Sequence, residues 1–171
     1  MKKSNQKIVI RPPKISDVDS LLAMINSLVE EKAMITIQKK LTRKEEEKYL
    51  KERIKNKKDH IHLFLIINGE VVGNARITKH ENTRSHVGEV GISLRKEARG
   101  LGLGEKLLKK VMKEGIKKFK LKIVTLDVYA KNKIAQSLYN KLGFKKVGKI
   151  KGGVKYYGKY EDSIIMVKYI N

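Results

Sequence analysis

The stretch Val87 to Leu107, VGEVGISLRKEARGLGLGEKL, constrains the fold of this chain more than any other. Val90, Ile92 and Leu94 alternate with Gly91 and Ser93, which gives one apolar face with the two-residue period of a strand. After a short basic turn, the loop Arg99-Gly100-Leu101-Gly102-Leu103-Gly104 carries a glycine at every second position, where backbone can approach a ligand with no Cβ in the way. From Glu105 the period changes, and Leu103, Leu107, Leu108, Val111 and Met112 fall on one helical face. A strand, a glycine loop and a helix start in that order bring free N–H groups and the positive end of a helix dipole to one point. That point is an anion site.

Spacing excludes two common nucleotide loops. A dinucleotide fingerprint needs GxGxxG, and counting from Gly100 the sixth position is Glu105; a Walker A loop needs GxxxxGK, and neither Gly100 nor Gly102 has a glycine five residues on. What remains is an apolar strand followed by R-x-x-G-x-G opening a helix, matched by Arg99, Gly102 and Gly104.

The rest of the chain supplies the context. Lys7 to Arg11 reads as a short strand stopped by Pro12 and Pro13. Ser16 with Asp19 has the spacing of a capping box, and Val18, Leu21, Leu22, Ile25, Leu28 and Val29 continue as an amphipathic helix to about Lys32. Residues 33 to 41 read as a connection, and Thr42 with Glu45 caps a second helix with Tyr49, Leu50 and Ile54 on its apolar stripe. Ile61 to Thr78 is a hairpin around Asn68-Gly69, because both central turn positions need φ > 0. Lys122 to Val128 is a strand following a helix that follows a strand, which implies a parallel crossover. Asn132 starts a short helix through Leu142, stopped by Gly143, and Phe144 to Ile150 and Ser163 to Tyr169 are two final strands joined by a polar, tyrosine-rich segment, 151 to 162.

A second motif follows Gly104 by 28 residues: Asn132, Ala135, Leu138, Tyr139, Gly143 and Phe144 in the pattern N-x-x-A-x-x-L-Y-x-x-x-G-F. With R-x-x-G-x-G, and with helix and strand between, it makes the chain resemble the GCN5-related N-acetyltransferases, the GNAT superfamily, over essentially Ile8 to Ile170. The resemblance implies an α/β (α+β) GNAT fold: a mixed, mostly antiparallel sheet of six to seven strands, helices on both faces, and a splayed parallel pair formed by the fourth and fifth strands. It implies a single domain over residues 1–171 and acetyl-CoA as cosubstrate, with coenzyme A as product. The cofactor-binding residues it nominates are Arg99, Gly100, Leu101, Gly102, Leu103 and Gly104 at the diphosphate, Ile92 and Leu94 through their backbone, and Asn132 at the pantetheine arm or the substrate side. Tyr139 is the implied proton donor to the thioester sulfur.

An amine that attacks a thioester has to lose a proton, because a lysine-like amine with pKa about 10.4 is protonated at neutral pH. Glu89, near the start of the central strand where such enzymes often carry a glutamate, is the candidate base, equally readable as a surface residue; His86 is the next candidate, and a solvated loop histidine otherwise. Tyr156, Tyr157, Tyr160, Glu161 and Asp162 form a polar cluster before the last strand, and the segment Gly158 to Met166, G-K-Y-x-D-x-x-x-M, resembles the tail of members acting on diamines, amino acids and ribosomal-protein N-termini, a candidate lining of the acceptor pocket. The nine acids before residue 60 either wall a site for a cationic amine or are solvated helix faces.

Composition narrows the function classes. With no cysteine there is no thiolate metal site and no cysteinyl acetyl-enzyme, and the expected route for acetyl transfer is direct attack in a ternary complex. The four histidines lack ligand spacing, and no metal is expected. The net charge of +22 is made of 33 Lys and only seven Arg, without the arginine clustering that specific nucleic-acid readout uses. Residues 98 to 171 carry net +14 against +8 for residues 1 to 97, so the half expected to hold a polyphosphate is the more basic one. No apolar run is long enough for a signal peptide or a membrane span, which gives a cytoplasmic expectation with no membrane partner. The acceptor is expected to be a small-molecule or peptide amine, the primary amine of a small amino compound, a polyamine or a protein N-terminus. A free polycation would be repelled by the +22 charge unless the acidic helices dominate locally, and pairing through the last strands would make a homodimer. The competing readings are a non-catalytic acyl-CoA-binding module, against which Tyr139 and Asn132 argue, and a basic nucleic-acid-binding protein.

Overall fold

The computed structural model describes residues 6–171 and contains seven strands, four α-helices and three short 3-10 turns. In chain order these are β1 (Ile8–Arg11), α1 (Val18–Glu30), α2 (Arg43–Lys55), β2 (His60–Ile67), β3 (Glu70–Lys79), β4 (Val87–Leu94), α3 (Leu103–Phe119), β5 (Ile123–Tyr129), α4 (Lys133–Lys141), β6 (Lys145–Tyr156) and β7 (Lys159–Tyr169). The strands make one sheet in the order β1-β2-β3-β4-β5-β7-β6, antiparallel except for β4 and β5. Among the described residues no helix is long and apolar enough to cross a membrane.

Local chemistry sets most of these elements. Asn68 (φ 52°) and Gly69 (φ 92°) adopt the left-handed pair that a two-residue hairpin requires, joining β2 to β3. Thr42 accepts from the Glu45 amide while the Glu45 carboxylate accepts from the Thr42 amide, the reciprocal cap expected for α2. Gly143 (φ 88°) ends α4.

Two local readings do not survive. The Ser16–Asp19 capping box does not form: a 3-10 turn at Ile15–Asp17 precedes α1, and Asp17 instead accepts from the Lys14 amide and from Arg11 in a bidentate pair at 2.7 Å. A part-buried Arg–carboxylate fork outcompetes a hydroxyl cap because both of its bonds are charge-assisted. The segment 151 to 162 is not a loop either; β6 and β7 run through it to a tight turn at Tyr157 (φ 45°) and Gly158 (φ 83°), with a register shift between Ile150 and Val154. Gly152 (φ 62°) and Gly153 absorb that irregularity, so a glycine pair that reads as a loop is a kink inside a long hairpin.

Each face of the sheet has its own core. Leu103, Leu107, Leu108, Val111 and Met112 of α3 pack on Leu63, Leu65, Ala75, Ile77 and Val90, with Tyr139, Leu142 and Phe144 beside them; Leu21, Met24, Leu28 and Leu50 of α1 and α2 cover Phe64, Ile66 and Val71 on the other face. At Gly115 the backbone of α3 lies so close to the sheet that a Cβ would stand 2.3 Å from Cγ2 of Ile77, a stiff β-branched neighbour. Gly115→Ala is therefore expected to destabilise the protein by about 1–3 kcal/mol through overpacking, against the roughly 1 kcal/mol that alanine gains in a helix interior. Denaturant unfolding checks it; equal or greater stability of the variant would refute the close approach.

Candidate active site

The glycine loop has the geometry of an anion cradle. Gly100 (φ 73°) and Gly102 (φ 71°) are left-handed, Gly102 is the N-cap of α3, and open space lies where either Cβ would be. The amides of the first turn of α3 have no carbonyl one turn back and are aimed at the loop mouth. Gly104 is buried, with its Cβ position 2.8 Å from Leu94 Cδ1 and 3.6 Å from Leu138 Cδ2, so it lets α3 close on β4 and α4. Leu103 is buried and Leu101 exposed. Glu105, the acid in that first turn, is held down to about 2 by Lys109 and then Lys141, so its charge is neutralised by two lysines rather than facing an incoming anion alone.

The Arg99 side chain turns away from the mouth. Its Nε (3.0 Å) and Nη2 (2.8 Å) donate to the Leu94 carbonyl, and it pairs with Glu31 at the end of α1. Arg99 thus clasps the loop to the end of β4, leaving its main chain as the part that faces the anion cradle.

The parallel strands part just below this loop. β4 and β5 are paired only from Val87 to Glu89 against Ile123 to Thr125. The Arg95 amide donates to Val72 on the β3 side, so by the two-residue alternation of a strand the backbone groups of Ile92 and Leu94 point to the open side. The Leu94 carbonyl on that side is already taken by Arg99, which leaves its amide and the Ile92 groups. A cavity of about 570 Å³ lies against the gap, lined there by Ile92, Ser93, Val128, Asn132 and Tyr139.

α4 and its N-cap present three residues of the second motif to that cavity, Asn132, Ala135 and Tyr139. The Asn132 side-chain oxygen caps the helix by accepting from the Ala135 amide at 3.1 Å, which fixes the side chain with its NH₂ free to donate to a ligand. Tyr139 is 6% exposed and packs edge-on to Phe144 at 5.8 Å between ring centroids. Burial pushes its phenol up to about 12, so it keeps its proton across the working pH range.

The far end of the cavity combines two of the acids before residue 60 that the sequence offered as a wall, Glu45 and Glu46, with residues it did not single out for a site. Glu45, Glu46 and Tyr49 of α2, His62 of β2, Asn74 and Arg76 of β3 and Asp127 of β5 all line the large cavity. Glu46 is 2% exposed and burial raises its carboxyl above the usual range. His62 is 6% exposed, packs edge-on to Phe64 at 4.9 Å, and has no hydrogen-bond partner for either ring nitrogen among the described residues. Burial lowers its pKa to about 4, opposed by the nearby Asn74 side chain, which is outside hydrogen-bond geometry, and helped by the Arg76, His60 and Arg53 charges. Polar residues alternating inside apolar runs, as in IHLFLII and IVTLDV, were the signal available for His62 and Asp127.

Glu89 is exposed and lines a neighbouring cavity of about 220 Å³ with Arg53, Arg76, Thr78 and His80; Arg76, Val90 and Gly91 border both cavities. His86 is not brought to the site: it is exposed, lines neither cavity, and its carbonyl accepts from Lys122 and Ile123 at the far end of the parallel pair. The tyrosine-rich tail roofs the site instead of lining it. Tyr156 donates to the Lys32 carbonyl and Tyr157 to that of Val29 at 3.2 Å, while Gln38 bonds the backbone of Lys155 and Tyr157, so the β6–β7 turn is stapled to the connection between α1 and α2. Met34, Ile35, Thr36 and Ile37 of that connection then close the cavity. Tyr160 is exposed, Glu161 pairs with Lys131, and Asp162 pairs with Lys149 and accepts from the Gly152 amide. Among the described residues no group of acids and histidines is placed to hold a metal ion.

The model of the Acetyltransferase (GNAT) family matches residues 26–144 of the chain. Among solved structures, the chain is similar to an acetyltransferase of the GNAT family from Streptococcus pneumoniae at 28% identity and a TM-score of 0.83, covering 96% of this chain and 100% of that one. The ribosomal-protein-alanine N-acetyltransferase from Brucella melitensis shares the fold at 24% identity and a TM-score of 0.84, over 95% and 99% of the two chains. A GNAT superfamily phosphinothricin acetyltransferase from Sinorhizobium meliloti, solved in complex with acetyl-CoA, shares it at 18% identity and a TM-score of 0.80, over 96% and 89%. No curated protein sequence matches the chain.

Proposed function

Because this chain belongs to the GNAT acetyltransferase family, we propose that it moves an acetyl group from acetyl-CoA to a primary amine, a small amino compound or a peptide N-terminus, by direct attack in a ternary complex. The observation that carries the proposal is one cavity running from the parted strands and the Tyr139 phenol to the polar groups of α2, β2, β3 and β5. Acetyl-CoA supplies an activated acyl group and a leaving thiolate. The first-turn amides of α3, with the main chain of Arg99, Gly100, Leu101 and Gly102, take the diphosphate; Gly102 and Gly104 respectively give room for it and bring α3 close. The Asn132 NH₂ and the free groups of Ile92 and Leu94 orient the acyl arm and donate to the oxyanion as the amine nitrogen bonds to the carbonyl carbon.

Tyr139 then acts on the sulfur as the C–S bond breaks. A phenol at about 12 is a weaker acid than an ordinary thiol near 8.5, so its role is to hold the developing thiolate by a hydrogen bond rather than to surrender its proton fully. The proton lost by the amine goes to Glu89 through water across the wall that the two cavities share, with Asp127 facing the ammonium directly.

Release of free thiol from acetyl-CoA, measured against amines, amino acids and N-terminal peptides, tests the proposal; no release with any of them would refute it. Glu89→Gln is expected to lower kcat/KM at pH 7 by about 10- to 100-fold and by less as pH rises, since more of the amine is then already neutral. A Glu89→Gln profile superimposable on the parent's from pH 6 to 9 would remove Glu89 as the base, and Asp127→Asn run beside it identifies the replacement.

A further inference from the structure

We propose that the acceptor amine carries a carboxylate, as a free amino acid does, and that Arg76 binds it. This rests on the acetyl-transfer reading and specifies its substrate class.

Four of the seven arginines are matched to carboxylates: Arg11 to Asp17, Arg43 to Asp19 and Glu47, Arg95 to Glu97 and Arg99 to Glu31. Arg53 lies over the Tyr49 ring at 5.2 Å. Arg76 has no carboxylate within ion-pair distance among the described residues, yet it borders both cavities. The sheet register gives it that place. Arg76 stands between His62 on β2 and Gly91 on β4, and a Cβ at Gly91 would meet nothing within 4 Å, so the floor beside the guanidinium is open and joins the two cavities. Asn74 stands two residues along on the same face of β3 and adds an amide donor.

A guanidinium in that setting is a fork for a carboxylate. The diphosphate cradle lies at the N-terminus of α3, on the opposite face of the sheet, so Arg76 is not part of it. Along β4, Gly91 is one residue from Ile92 at the parted strands, a separation of about 3.3 Å per residue. Arg76 and Ile92 line the same cavity, so a carboxylate held by the guanidinium and an amine directed at the parted strands can belong to one small molecule. Opposite charges are present as well. Asp127 and Glu45, the latter kept anionic by its bonds to Thr42, face the cavity with Arg76 and give it the polarity of a zwitterion's partner. The net charge of +22 draws a carboxylated acceptor in and repels a polyamine.

The test compares three forms of each acceptor: the free amino acid, its primary amide, and the amine left when the carboxylate is removed. The expected kcat/KM for the acid exceeds that for either uncharged form by about 10- to 100-fold, mostly through KM. Arg76→Met is expected to bring that ratio near one, and Arg76→Lys to restore part of it. A ratio near one in the parent enzyme, or an unchanged ratio in Arg76→Met, overturns the assignment while leaving acetyl transfer standing. A second readout does not need turnover. In the ¹⁵N-labelled protein with coenzyme A present, the Arg76 Nε–H resonance, identified by its loss in Arg76→Lys, is expected to move on titration with the amino acid and to stay in place with the decarboxylated amine. Equal response to both, or to neither, overturns the assignment even if the enzyme acetylates nothing in the panel, which would instead refute acetyl transfer itself.

Discussion

Tyr139→Phe is expected to lower kcat for acetyl transfer by about 10²- to 10³-fold, with the unfolding midpoint and the KM for acetyl-CoA changed little. The ring stays packed edge-on to Phe144 in an almost fully buried position, so the substitution removes one oxygen and no packing. What is lost is the hydrogen bond that forms as negative charge develops on sulfur, an interaction made in the transition state and hardly at all in the ground state. Steady-state kinetics with a saturating amine separates the two quantities. Burial that pushes the phenol up to about 12 also fixes the alkaline behaviour: the parent enzyme should show no loss of rate from tyrosine ionisation up to about pH 10. An alkaline limb near pH 10 that disappears in Tyr139→Phe would overturn the assigned environment, and unimpaired turnover of the variant would overturn the assigned role.

The second large effect is on stability. His62 is neutral in the folded protein with a pKa of about 4, against 6.5 when free. Between those values the unfolded chain binds the proton and the folded chain does not, so stability falls as pH drops from 6.5 to 4 and is restored as it rises again. A difference of roughly two and a half pH units at 1.36 kcal/mol each corresponds to about 3 kcal/mol. Glu46 works in the opposite direction, because burial raises its pKa and its protonated form is favoured on folding, an effect lost as pH rises. The Arg11–Asp17 pair acts lower down: the depressed Asp17 pKa gives stability that is lost only below the ordinary carboxylate range. His62→Leu isolates the histidine. Neither ring nitrogen has a partner to lose, so the variant should match or exceed the parent at pH 7 and lose far less of its stability by pH 4. Denaturant midpoints at pH 7, 5.5 and 4 decide it; parallel pH curves for the two proteins would show that the imidazole is not the group responsible.

Much of the architecture follows from patterns a few residues long. Asn68-Gly69 specifies its turn because both residues tolerate positive φ, Thr42 and Glu45 cap α2 because each satisfies an amide the other's backbone leaves free, and the alternation through Val90, Ile92 and Leu94 passes into the helical period at Leu103. Arg99, Gly102 and Gly104 together with Asn132 and Tyr139 gave the family because their relation to the parted strands is carried by spacing along the chain. Short-range signals failed where a longer-range partner or an unusual turn intervened. Arg11 reached Asp17 and displaced the Ser16 cap, and Tyr157-Gly158 formed a left-handed turn in a segment whose glycines and tyrosines read as a loop.

The sequence by itself determined the order of the elements, the anion loop and the tyrosine, since each depends on dihedral preferences, capping and periodicity within one or two turns of chain. The tertiary structure alone decided what lines the far end of the large cavity. His62, Arg76, Gly91 and Asp127 come from four strands, and they share a cavity because of the β2–β3–β4 register and the divergence of β4 from β5. A shift of one residue in either antiparallel register would turn His62 or Arg76 to the opposite face. Register is set by the packing of both cores at once, a constraint that no local window of residues contains.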